Sequence, residues 1–417
     1  MSRRAMEAAH VGGLMQELSL GSIMAALPRK RIKEALEETG TGSVRNRLLP
    51  APMVVYLVVM LALYAEVSVR ENLRILLEPL RRKFGLDRTK MPVDSAITKA
   101  RKRLGAVPFR WLFDRIALPL GSAKLAGCFW RDLRVVAADA TTVEVQDTGE
   151  NRRRFGIHFN QHGPVGYPQV KIAVLAECGT RVPLGCACGG GDDHEPGLFD
   201  ALRVKLTRDM LFLTDRAYYS FERWKDCCRR CGALLWRVKN SLILKPIKTF
   251  QDGSYLARIR PSNKLVRKGL SGRSESMIVR VIEYEPIFAD GSHGERVRLI
   301  TTLTDPEDAS AEELARLYTE RWSIETGFDE LKTHLRGPDR VLRSPLPELV
   351  EQEIYGFFLA YYVVRATMAD AARREGCAPR ELSFVHAVRV IKRRLSFPPS
   401  RPPGAQEDVC GHPEGDR

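Results

Sequence analysis

Three apolar stretches confine the fold more tightly than anything else in the chain. LRVVAADATTVEV (133–145) and VKIAVLAE (170–177) are dense in β-branched and small apolar residues, and MLFLT (210–214) is a short apolar run before a turn. Such runs read as strands, because β-branched side chains are stiff at χ1 and pack well on a pleated surface. Helical patterns lie between and after them. Strands alternating with helices call for a layered α/β core. Two of the stretches bring an aspartate with them: Asp139 within VVAADATT, at or near a strand end, and Asp215 directly after MLFLT. Ligands bind at strand ends of such sheets. An aspartate there also serves as an ordinary turn or cap residue.

The rest of the chain arranges itself around that core. Residues 1–125 are helical in pattern. Within them LLPAPMVVYLVVMLALYA (48–65) invites a membrane reading, but Pro50 and Pro52 leave only about a dozen apolar residues, too few for about 30 Å of hydrocarbon; a buried helix is expected. The segment 81–104 holds nine basic and two acidic residues, and Pro92 and Asp94 suit a helix start there. Lys99, Arg101, Lys102 and Arg103 crowd that helix's end, where they either satisfy its dipole or contact a DNA backbone. The core is expected over 126–233 and 304–395. Residues 234–303, with strand-like LLWRVK, YLARIR, SMIVRVIEYE and RVRLITTL separated by QDGS and ADGSHGE, read as a β-rich insertion. The Pro/Gly-rich tail 396–417 is expected to be disordered.

Charge narrows the partners. Lys and Arg number 66 against 51 Asp and Glu, a surplus of 15. That surplus points to a polyanion, with nucleic acid the commonest, and leaves ribosomal neighbours or an acidic membrane surface open. Nine scattered cysteines include the cluster Cys227/Cys228/Cys231, which lacks a matching Cys or His pair at zinc spacing. Free thiols of a reducing cytoplasm are the expectation. No signal peptide is evident.

Ser310 and Glu313 have the spacing of a capping box and open a further helix. Along it, in LYTERWSIETGFDELKTHLRG (317–337), Tyr318, Arg321, Glu325 and Lys332 fall within an arc of about 60° at about 100° per residue. Leu317, Ile324, Phe328, Leu331 and Leu335 form an apolar stripe immediately beside them. A polar line bordering the buried face is where a site is built, although Arg321 and Glu325 also suit a plain i,i+4 surface pair. Two strand aspartates and a helical glutamate, in that order, are what a two-metal nuclease requires. Two divalent cations about 3.5–4 Å apart favour in-line displacement at a phosphodiester, and Mg²⁺ takes oxygen ligands.

The pattern Y-x2-R-x3-E-x6-K, met by Tyr318, Arg321, Glu325 and Lys332, together with VVAADATT and LFLTDRAYYS, resembles the DDE transposases of the bacterial insertion-sequence-4 type. Ala140 stands where many relatives have glycine. The resemblance implies a ribonuclease-H-like core with Asp139, Asp215 and Glu325 as ligands of two Mg²⁺ ions, for which Mn²⁺ can substitute. It implies that Tyr318, Arg321 and Lys332 grip phosphates near the element end. Arg216 would contact phosphate or pair with Asp215, and Trp236 would stack on an unpaired base or serve as a core tryptophan. Asp329 is a lesser candidate ligand, and His194 and Glu195, after GGGDDHE, are expected on a surface loop. Implied partners are double-stranded DNA, as terminal inverted repeats and target, and a second copy of the chain; the implied location is the bacterial cytoplasm, at the nucleoid, with no membrane. Cleavage at element ends and strand transfer is the implied activity. A ribonuclease-H-like nuclease without strand transfer, a catalytically inactive DNA-binding descendant and a basic RNA-bound protein remain as rivals.

Overall fold

The computed structural model describes residues 22–42, 49–84, 91–160, 163–191, 193–269, 272, 274–287, 290–338 and 340–396. The tail expected to be disordered lies, from 397 on, outside the described residues.

The first helices are α1 (Ser22–Ala26), α2 (Arg29–Glu38), α3 (Ala51–Leu63), α4 (Val69–Phe84), α5 (Asp94–Leu104) and α6 (Val107–Ile116). Pro50 and Pro52 start α3 where a missing backbone N–H costs nothing. Twelve of its thirteen side chains are buried, so its apolar run is consumed by protein packing. Among the described residues no helix is long and apolar enough to cross a membrane.

The sheet follows. Its strands are β1 (Phe129–Trp130) and β2 (Leu133–Glu144); a short hairpin of β3 (His158–Asn160) and β4 (Gly163–Val165) comes after α7 (Gly149–Phe155); then β5 (Gln169–Glu177) and β6 (Pro183–Gly189). After α8 (Glu195–Asp200) come β7 (Met210–Thr214), α9 (Phe221–Arg230) and β8 (Ala233–Arg237). β2, β5 and β6 form an antiparallel set, while β7 runs parallel to β2 and β8 parallel to β7. Every residue of β7 is buried, as an inner strand covered on both faces requires.

The residues expected to form an insertion do not stand apart from this sheet. β9 (Pro246–Thr249), β10 (Tyr255–Ile259), β11 (Met277–Tyr284) and β12 (Val297–Thr301) continue it, with the short helix α10 (Asn263–Arg267) between the last two pairs. β12 hydrogen-bonds antiparallel to β8, giving one ten-stranded sheet in the order β6-β5-β2-β7-β8-β12-β11-β10-β9, with β1 beside β2. The expected boundary at 234 therefore cuts through a core strand. The reason is edge protection: β8 would otherwise present unpaired backbone along an apolar edge.

Beyond the sheet, α11 (Ala311–Tyr318) leads through a 3-10 turn (Thr319–Arg321) into α12 (Trp322–Asp329) and then a π turn (Glu330–Leu335). What the sequence offers as one straight helix is four segments. Ser310 caps its start, accepting from the Glu313 amide at 3.2 Å. Glu313 does not reciprocate; its carboxylate takes the Trp130 indole N–H at 2.8 Å. The 29-residue α13 (Pro347–Glu375) then lies against α3, and α14 (Phe384–Ser396) ends the described chain. Where α13 crosses α3, a Cβ on Gly356 would stand 2.7 Å from the Val58 side chain and 3.1 Å from its carbonyl. Only glycine admits that approach.

Candidate active site

The β2/β7 register sets the two aspartates. Ala138 pairs with Thr214, the last residue of β7, so Asp139 and Asp215 follow side by side just beyond the parallel pairing. Asp215 sits where a strand end was expected. Asp139 does not: β2 runs on for five more residues, paired to β5, with Asp139 opposite Val174. Its place is the end of the β7 pairing rather than the end of its own strand.

α12 brings the glutamate. Arg321 is buried, and its guanidinium stands between two carboxylates, 3.4 Å from Asp139 Oδ2 and 2.8 Å from Glu325 Oε1. Burial works against its charge, but Tyr318 and Glu325 hold its pKa above the usual arginine value. Asp139 is mostly withdrawn from water. Burial pushes its carboxyl up to about 6, against the pull of the Ala140 amide, 2.8 Å from Oδ1, and of Arg321. The neighbouring charges of Glu325 and Glu195 push the same way. Asp215 Oδ1 is buried with no protein hydrogen-bond partner. Among the described residues, no three His, Cys, Asp or Glu side chains are grouped as a metal-binding set; Asp139 and Glu325 share Arg321, and Asp215 follows β7 on the strand next to Asp139.

Oxygen donors alone, one of them buried and partnerless and another raised by burial, suit a hard divalent cation. Asp215 Oδ1 would gain the partner it lacks, and Asp139 would gain positive charge that Arg321 supplies only at 3.4 Å. By donor type the three carboxylates suit such an ion, while their side chains are not drawn into one metal-binding group.

The remaining expected site residues fall in different places. Tyr318 is buried, and its hydroxyl donates to the Thr214 carbonyl at 3.3 Å, directly before Asp215. It therefore braces the strand end and does not face a phosphate. Lys332 is half-buried on the π turn, where burial and then Arg336 lower its pKa. Trp236 is fully buried on β8, edge-on to Phe212 and Trp224 at 5.6 and 5.1 Å between ring centroids, so it has no face for a base. Arg216 pairs with Glu295 at 2.8 Å rather than with Asp215. Arg101 is buried and donates to Gln352 Oε1 at 2.8 Å and Ser344 Oγ at 3.1 Å, which makes it a tie from α5 to α13 and to the segment before it. Lys99 and Lys102 are exposed on α5, as is Arg103, which also reaches the Leu49 carbonyl at 3.3 Å. Asp329 is exposed and takes the Thr333 hydroxyl at 2.7 Å. Cys227 and Cys231 are buried free thiols.

Two further residues stand near Asp139 or Arg321, one of them unnamed by the sequence reading. Glu195, expected on a surface loop, opens α8 and lies close enough for its charge to act on Asp139. Trp322 is 59% exposed beside Arg321, whose guanidinium lies 5.3 Å from its ring centroid. An apolar residue on the polar side of an otherwise amphipathic helix was the available signal for Trp322.

The insertion element 4 transposase N-terminal family matches residues 17–114, and the transposase DDE domain family matches residues 130–363. The chain is 28% identical over 390 residues to the transposase InsG for insertion sequence element IS4 of Escherichia coli (strain K12), covering 92% of this chain and 85% of that relative. The putative transposase InsZ of the same strain is 26% identical over 239 residues, 56% of this chain and 77% of that one. A cryo-EM structure of a piggyBac transposase synaptic complex with hairpin DNA aligns at a TM-score of 0.44 and 10% identity over 90% of this chain and 79% of that chain, too distant to bear on the fold. The DDE domain match spans more than half of the chain and holds Asp139, Asp215 and Glu325 in order, and this chain belongs to the DDE transposases of the insertion-element-4 type.

Proposed function

We propose that this transposase, an enzyme of a family that uses divalent metal ions, holds two Mg²⁺ ions with Asp139, Asp215 and Glu325 and cuts and rejoins DNA there. The observation that carries the reading is Arg321 fixed between Asp139 and Glu325, with the partnerless Asp215 Oδ1 alongside. Bound divalent cations supply activation of the attacking oxygen and stabilisation of the leaving one. The chain's own residues do the rest. Arg321 keeps two like charges from repelling and sets Glu325 on the sheet side of α12. Tyr318 fixes the carbonyl before Asp215. Lys332 offers a point charge to phosphate and Trp322 a ring face to an unpaired base, the role that buried Trp236 cannot fill. Water is the first nucleophile and the freed 3′-hydroxyl the second, so no covalent protein intermediate is needed.

The core is read as ribonuclease-H-like on its strand order, three antiparallel strands with two more parallel to the first. The DNA is the element's terminal inverted repeats and then target, met in the bacterial cytoplasm by a homodimer that pairs two ends. The test supplies Mg²⁺, duplex carrying the repeats that flank the gene, and a target plasmid. Nicking at the repeat ends and joined product are expected, from a complex whose mass corresponds to two chains on two ends. Nicking of precut or intact ends without joining would reduce the protein to a nuclease, and no nicking to a DNA-binding descendant.

A further inference from the structure

The turn that follows Glu325's helix is held by a buried charge cluster that the cleavage chemistry does not use. α12 gives way at Glu330 to the π turn, and the Arg336 amide reaches back five residues to the Leu331 carbonyl at 3.0 Å. Glu330, only 6% exposed, accepts from Arg181 at 2.8 Å, from the Tyr361 hydroxyl at 2.7 Å and from Arg365. Arg365 is itself 1% exposed and also donates to the Tyr361 hydroxyl at 3.0 Å. Burial, and then Arg181, push the Arg365 pKa well below the usual arginine value.

These partners come from two other elements. Arg181 lies in the turn between β5 and β6 with a left-handed backbone, φ 56°, a conformation that costs a non-glycine residue roughly 1 kcal/mol or more. Tyr361 and Arg365 lie on α13. Gly327, one turn before Glu330, faces the same cluster: a Cβ there would stand 3.2 Å from the Tyr361 hydroxyl. A single carboxylate thus joins the sheet, the long helix and the turn after Glu325.

A buried carboxylate held between buried Arg365 and half-buried Arg181 adds little to stability, because desolvation offsets the attraction. What such a cluster can supply is register. π turns are rare and occur mostly as single turns at functional sites. An i→i+5 turn advances each side chain by a smaller angle than an i→i+4 turn, so it determines where Lys332 and everything after it point relative to Glu325.

We propose that Glu330 is a positioning residue for strand cleavage: by binding Arg181, Tyr361 and Arg365 it locks the π turn and fixes Glu325 and Lys332 relative to the sheet that carries Asp139. The proposal rests on the metal role proposed for Glu325.

The test compares full-length wild type with Glu330→Gln and, as a control, Glu353→Gln, which removes another buried carboxylate, paired to Ser344 and Arg343 and taking no part in the Glu330 cluster. Single-turnover nicking of end DNA is followed against Mg²⁺ concentration, with melting temperature and hydrogen exchange of residues 330–336. For Glu330→Gln the Mg²⁺ concentration at half-maximal rate is expected to rise about 10- to 100-fold, the usual effect of losing a residue that orients a ligand, with faster exchange confined to the turn. Glu353→Gln is expected to lower the melting temperature without moving the Mg²⁺ dependence. If Glu330→Gln does not fold, the double substitution Glu330→Leu, Arg365→Met removes the buried pair together and takes its place. Unchanged Mg²⁺ dependence in whichever variant folds, or the same change in Glu353→Gln, overturns the proposal. Glu325→Gln is run in parallel: full nicking by that variant would instead overturn the metal role of Glu325.

Discussion

Asp139, its carboxyl pushed up to about 6 by burial, takes up and loses its proton near the lower edge of the physiological range. In the unfolded chain the group titrates near 3.8. Between those values the folded protein holds more protons than the unfolded one, so stability falls as pH rises through the window, and the loss is complete above about 6. Two pKa units correspond to at most about 3 kcal/mol. Asp139→Asn is therefore expected to raise the melting temperature of metal-free protein at pH 8 and to leave it unchanged near pH 4, while abolishing nicking. An asparagine variant no more stable than wild type at pH 8 would contradict the burial of that charge. The basic residues of α5 make a second residue-scale case. Arg101→Met removes charge-assisted bonds to Gln352 and Ser344 and is expected to cost about 3 kcal/mol by chemical denaturation. Lys99→Gln and Lys102→Gln are expected to be neutral in stability and each to lower the salt dependence of DNA affinity by about one phosphate contact. In the sequence these cations are indistinguishable. Burial of Arg101 is set by Gln352, 251 positions away, which no local pattern reports.

At the scale of elements, the apolar stripe of 317–337 was legible in four of its five members, since Ile324, Phe328, Leu331 and Leu335 are buried and Leu317 is half-buried. The breaks in that helix were not. Hydrogen-bond register at Glu330 is decided by Arg181 and Arg365, residues outside any window around it. Asp139 was similarly legible as a residue beside a strand end, but the end belongs to β7, and which strand stops first depends on pairing. The helix is also held at its start. Fully buried Arg280 on β11 binds Asp252 and the Ala309 carbonyl, and Asp252 accepts from the Ala311 amide at 2.9 Å. Strands read as an insertion thus fasten the beginning of α11. Arg280→Met removes the charge-assisted bonds to Ser254, Asp252 and the Ala309 carbonyl while leaving Asp252 open to solvent, and a loss of about 1.5–3 kcal/mol is expected, together with slower nicking. Full stability and rate in that variant would show that the outer strands do not support the site.

For the whole molecule, the α/β class and the helices described between 22 and 116 followed from residue pattern, whereas the extension of one sheet from β6 to β9 did not. Strand-like runs declare themselves, but their neighbours are chosen by edges that close only in three dimensions. That single sheet, with α12 laid across β2, is what brings Asp139 and Glu325, nearly two hundred positions apart, to the one guanidinium of Arg321. The most direct measurement is Mg²⁺-dependent single-turnover nicking of end DNA by wild type, Asp139→Asn, Asp215→Asn and Glu325→Gln, each first shown to fold and to bind that DNA. Every substitution is expected to slow nicking by at least about a hundredfold with DNA affinity little changed. Any one of the three cutting at close to the wild-type rate would contradict a shared cation site.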